Sequence, residues 1–145
     1  MTEVTFHFNV PDPLEYVGRL VRRAAGTGAR VVVTGDASLL QQLDRALWTT
    51  SATDFFPHCH AASAEPHVLQ ASPVVLADSA RGTPHQEVLV NVGGGVPDGF
   101  EQFERLNEIV TQDEADRQGA RARWKHYASR GYAIRKYDAV TRETG

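Results

Sequence analysis

Cysteine is almost missing from this chain. Cys59 stands alone, so no internal disulfide can form and a reducing compartment is the expected setting. Also missing is any run near the roughly 18 apolar residues that a membrane-spanning helix needs. The opening MTEVTFHFNV lacks the positive residues and apolar stretch of a secretion signal. Positive charge is not in excess either. A formal net charge of −3 argues against a protein that is basic all over and binds nucleic acid for that reason alone. These absences predict a soluble, cytoplasmic protein with no membrane partner. At 145 residues it is long enough to bury one core without staples.

Several kinds of chemistry are excluded in the same way. VVVTGDAS (31–38) follows a strand-like run and precedes a helical one, but it lacks the GxxxxGK[ST] pattern whose backbone amides and lysine would hold phosphates. NVGGGVPDG (91–99) has glycines without GxGxxG spacing and without an acidic ribose partner. His58, Cys59, His60 and His67 lack the spacing of a tetrahedral zinc site and read as exposed loop histidines. No Ser–His–Asp set can be nominated, and Cys59 has no activating neighbour beyond the adjacent histidines. Asp113 and Glu114 are explained by the helix N-terminus they sit on. The expectation is a chain without catalytic machinery, metal or cofactor.

What is present is an alternation of short apolar runs and amphipathic ones. Residues 3–9 alternate Val4, Phe6 and Phe8 with polar positions, a half-buried strand near a sheet edge. Asp12 and Pro13 read as a cap and first helical position, ahead of the stripe Leu14, Val17, Leu20, Val21 and Ala24, and Gly26 and Gly28 end it. VVVT (31–34) is β-branched, as in a parallel sheet buried on both faces. A helix over 38–48 starts with Ser38 and Gln41 as a capping box and buries Leu39, Leu40, Leu43, Ala46 and Leu47. Strands follow at 73–78 and 87–92, a short helix near Phe100 and Phe103, and a fifth strand at 106–110. A last helix runs from about Asp113 to Arg130, with Thr111 and Glu114 as its capping box and Gly131 at C′. Residues 136–145 read as a loose tail. The order of elements predicts an α/β fold with a largely parallel sheet of about five strands flanked by helices.

Two segments remain unexplained by folding alone. Trp48, Phe55 and Phe56 crowd a stretch broken by Thr, Ser, Asp and Pro. Such aromatics either roof the core or meet another protein. The second segment, Arg117 to Tyr137, carries seven basic residues and no acid: Arg117, Arg121, Arg123, Lys125, Arg130, Arg135 and Lys136. On a helical wheel Arg117, Arg121 and Lys125 share one side, beside an apolar strip of Ala120, Trp124, Tyr127 and Gly131. A basic ridge beside an aromatic strip suits an acidic peptide with an apolar anchor, and it would also suit phosphate. The plain alternative is a solvated face with Trp124 in the core, although ordinary solvated faces mix both signs.

TFHF near the start, LDRALW (43–48), DFFPH (54–58) and RARWKHYASRGY (121–132), taken together and in this order, resemble the chi subunit family of bacterial DNA polymerase III. The resemblance implies a Rossmann-like α/β fold over residues 1–135 without a working nucleotide site. It implies a non-catalytic accessory subunit of the replicative holoenzyme, associated with DNA only indirectly. Such a subunit links the clamp loader to the single-stranded-DNA-binding protein by gripping that protein's acidic C-terminal tail, which ends in a Pro-Phe-type anchor. By similarity the tail-binding positions are Arg121, Trp124 and Lys125, with Tyr127 and Gly131 as pocket walls. Where the family often has tyrosine this chain has Trp124, which keeps a stacking wall. Trp48 and Phe55 match positions near the surface that meets the psi subunit or, alternatively, a repair helicase. Rival readings are direct binding of single-stranded nucleic acid through the basic helix and a small nucleotide-dependent enzyme.

Overall fold

The computed structural model describes residues 2–49, 58–60, 74–77, 85–92 and 95–141, the side chains of 46–49 and 58–60 excepted. In chain order its elements are β1 (Glu3–Val10), α1 (Pro13–Gly26), β2 (Val31–Gly35), α2 (Ala37–Thr49), β3 (His58–His60) and β4 (Val74–Ala77). After these come β5 (Val88–Val92), a single 3-10 turn (Phe100–Gln102), β6 (Arg105–Thr111), α3 (Glu114–Ser129) and β7 (Ile134–Asp138). The strands form one seven-stranded sheet in the order β3-β4-β2-β5-β6-β1-β7. Every neighbouring pair is parallel. The architecture is the α/β, Rossmann-like one expected, with two strands more than the sequence pattern predicts.

Both extra strands correct a local reading. Residues 58–60, read as loop histidines, form β3 on one edge, paired with β4. Of the stretch read as a loose tail from Lys136, the first three residues are instead the second half of β7, whose residues 134–138 pair with β1 over Val4–Phe8, and 142–145 lie outside the described residues. Consequently β1 is not an edge strand; it lies between β6 and β7.

The two faces follow from the direction of the crossovers. The connections from β1 to β2 and from β2 to β3 both move toward the β3 edge, whereas β6 to β7 moves the other way. With one hand of crossover, the helix of the reversed connection must land on the opposite face. Accordingly, Val17 and Val21 of α1 and Leu40 and Leu43 of α2 pack with Val31 and Val33. Ala120 and Tyr127 of α3 pack with Val32, Leu89 and Leu106 on the other face. The alternation of Val31, Val32 and Val33 between the two clusters is the expected signature of a strand covered on both sides.

The caps carry a second set of corrections. Asp12 caps α1 as its sequence predicts, accepting from the Leu14 and Glu15 amides ahead of Pro13. For α2 the helix already begins at Ala37, so Ser38 lies inside the first turn and its Oγ accepts from Gln42, not Gln41. For α3 the cap is Asp113, which accepts from the Asp116 amide, while the Asp116 carboxylate reaches back to the amide and hydroxyl of Thr111. Thr111 and Glu114 are thus not the reciprocal pair. Gly131, with φ +81, does terminate that helix.

Gly35 shows why VVVTG ends in glycine. A Cβ there would lie 2.7 Å from the Val92 carbonyl oxygen, so close approach of β2 and β5 requires its absence. The glycine belongs to sheet packing.

Candidate functional site

Beside α3, where it leaves β1 and β7 uncovered, the surface opens into a groove of about 540 Å³. The strands supply its floor: Phe6 and Phe8 of β1 and Val110 of β6, one face of the alternation. The helix supplies Ala120 and Trp124, and around this apolar strip stand Arg117, Arg121, Lys125 and Lys136. No carboxylate lines the groove among the described residues.

Trp124 is half-buried, its ring centroid 5.0 Å from that of Phe6, and the Lys136 ammonium lies 5.6 Å above the indole. It therefore stands as a wall with one face in the core cluster and another toward the groove. Arg121 is exposed and reaches Glu114 at 3.5 Å. An acid absent from the 117–137 stretch thus meets the ridge from the helix start. That pair is two-thirds solvated on both sides and too weak to hold Arg121 against a better-placed anion. Arg117 donates to the Asn9 side chain at 3.4 Å, and Asn9 donates to Asp138 at 2.9 Å. Asn9 sits at φ +59 within the irregularity that separates the His7 and Val10 pairings of β1, a conformation Asn tolerates better than most residues.

Of the positions nominated by sequence, Arg121, Trp124 and Lys125 come together in this groove. Tyr127 does not. Three residues beyond Trp124, its side chain is about 60° short of a full turn and points under the helix. There it is wholly buried, donating its hydroxyl to Glu108 Oε2 at 2.5 Å. Gly131 lies beyond the last helical residue, Ser129, about 10 Å along the axis from Trp124. It is exposed and does not line the groove. Trp48 is in the last turn of α2, but its side chain, like all of Phe55 and His67, lies outside the described residues.

The seven cations of the 117–137 stretch therefore divide. Four line the groove. Arg130 donates to the His126 ring at 3.0 Å, and Arg135 is exposed elsewhere on β7. Arg123 is 2 % exposed and donates to Glu108 Oε1 at 3.0 Å. Glu108 also accepts from Asn91 at 2.8 Å, and Asn91 from Thr34 at 3.0 Å, so a polar row crosses β6, β5 and β2 beneath α3. Burial pushes the Glu108 carboxyl above its ordinary value, opposed by Arg123, Tyr127 and Asn91. This row fixes the rotation of α3 about its axis, and so decides which of its residues face the groove.

Sequence reasoning missed Lys136 because β7 was not recognised, and missed Phe6 and Phe8 as groove floor because strand alternation does not say which buried residues stay uncovered by a helix. No group of His, Cys, Asp or Glu among the described residues is arranged to hold a metal. No described helix is long and apolar enough to cross a membrane.

The family model for the DNA polymerase III chi subunit, HolC, matches residues 1–135. The DNA polymerase III subunit chi of Pseudomonas aeruginosa is 30% identical over 144 residues, spanning 94% of this chain and 96% of that protein. Together with the α/β sheet, these matches show that the chain belongs to the DNA polymerase III chi subunit family, a replication accessory subunit.

Proposed function

We propose that this chain is a non-catalytic, cytoplasmic bridge that links the clamp-loader complex to the single-stranded-DNA-binding protein by holding that protein's acidic C-terminal tail in the α3 groove. The observation that carries this reading is the pairing of an apolar floor with four surrounding cations, Arg117, Arg121, Lys125 and Lys136. Carboxylates of the tail, including the terminal one, meet Arg121 and Lys125, and the final aromatic side chain lies on the Phe6–Trp124 surface. Charge steers the encounter and the apolar contact holds it. Nothing in this role calls for a cofactor. Trp48 and Phe55 are proposed as the docking face for a second protein, the psi subunit or a repair helicase.

Calorimetry with a tail peptide, with and without its last aromatic residue, tests the groove. Micromolar-range binding, about −8 kcal/mol, is expected for the full peptide, weakening as salt rises. Arg121→Ala should weaken it more than Arg105→Ala, which changes an exposed cation outside the groove. Equal affinity for the two peptides would refute the anchor.

A further inference from the structure

A second cavity, of about 440 Å³, lies on the opposite face of β1 and β7, in the corner they make with α1. Strand alternation separates the two sites: Lys136 faces the α3 groove, and the next residue, Tyr137, faces this cavity with His7. Tyr16, Arg19 and Arg23, at i, i+3 and i+7 of α1, form the wall above them. No carboxylate lines the cavity among the described residues. Glu15 lies 3.7 Å from Arg19, and both side chains of that pair are more than half exposed.

The floor is neutral and fixed. His7 Nε2–H donates to Asn107 Oδ1 at 2.9 Å, which leaves Nδ1 to accept the Tyr16 hydroxyl proton at 2.6 Å. The His7 ring lies 5.5 Å from that of Tyr16 and 5.6 Å from that of Tyr137, so three rings are gathered at one place. Burial holds His7 below its ordinary value, and burial also pushes Tyr16 up to about 12, so neither carries charge at neutral pH. The charge of the cavity is that of Arg19 and Arg23, with the Arg19 guanidinium 6.0 Å over the Tyr16 ring. Guanidinium pairs take phosphate, and aromatic rings beside them take a base by stacking. The volume falls within the ~300–1,000 Å³ typical of small-ligand sites.

We propose that this cavity binds a nucleotide, its phosphate between Arg19 and Arg23 and its base against the ring cluster of Tyr16, His7 and Tyr137. The nucleotide is either free or a residue of a single strand, and the site is independent of the α3 groove. The intact protein titrated with dTMP, thymidine and ribose 5-phosphate, following the ring signals of His7 and Tyr137 by NMR, tests it. dTMP should shift both signals and bind about tenfold or more tighter than either fragment. Arg19→Ser combined with Arg23→Ser should abolish that advantage, and Arg121→Ser should leave it intact. Oligo-deoxythymidine binding well above dTMP, with the same arginine dependence, assigns the site to a strand; equal affinity assigns it to the free nucleotide. Thymidine or ribose 5-phosphate matching dTMP would overturn the proposal, as would no shift at all or a loss that follows Arg121 instead of the α1 arginines.

Discussion

Removing the Tyr127 hydroxyl would leave Glu108 with one charge-assisted hydrogen bond fewer in a site without water access. Tyr127→Phe should therefore cost about 1.5–3 kcal/mol in urea unfolding. Arg123→Ala should cost more, about 3–5 kcal/mol, because it leaves a carboxylate in the core without its cation. Neither residue touches the groove, so the tail peptide should bind the folded fraction of Tyr127→Phe as it does the parent. His7 gives a pH prediction. Its folded-state value lies below the unfolded 6.5, so the unfolded chain takes up a proton first as the solution is acidified. The stability it contributes is complete above pH 6.5 and falls as pH drops below that, toward the folded value. Denaturant midpoints for the parent chain and His7→Gln should converge on acidification; a constant gap would mean His7 does not titrate between the two states. In the sequence Arg123 and Arg121 are indistinguishable, two arginines in one basic run. Only the rotation of α3 against Glu108 sends the first inward and the second to the groove.

At the level of elements, legibility followed apolar content. The strands β2, β5 and β6 and the helix α1 announce themselves through β-branched runs or a capped stripe, because each buries much of its surface. By contrast α3, exposed at nine of its sixteen residues, shows itself through its basic spacing and the Gly131 stop. The sequences of β3 and β7, HCH and IRKYD, carry almost no such pattern. They exist because a neighbouring strand offers its hydrogen bonds, a tertiary cause that local propensity does not record. The α3 ridge was legible as far as helical spacing could take it, to Arg121, Trp124 and Lys125; Lys136 needed β7. Two predictions belong here. Gly35→Ala should destabilise by about 1–3 kcal/mol, since the added methyl must push β2 from the Val92 carbonyl, and a neutral result would show that the two strands yield easily. Lys136→Ala should weaken the tail peptide by calorimetry without altering the unfolding midpoint, because its side chain is exposed and lies over the Trp124 ring.

Across the whole molecule, the reversal of crossover direction places α1 and α2 on one face and α3 on the other, and both cavities fall where the sheet extends past these helices. Parallel pairing and two covered faces could be read from the chain; strand order could not, because nothing local says that β1 sits between the sixth and seventh strands. Hydrogen exchange should grade accordingly, slowest in β2 and β5, buried on both faces, and fastest in β7, which is exposed along much of its length. Equal protection in β7 would mean the edge is as cooperative as the centre. β1 is synthesised before both strands that flank it, β6 and β7, which start at Arg105 and Ile134. Until those strands emerge, Val4, Phe6 and Phe8 have no native strand to pair with, and the nascent chain exposes a sticky, unpartnered segment. A fragment ending before Arg105 should show unprotected amides across residues 3–10.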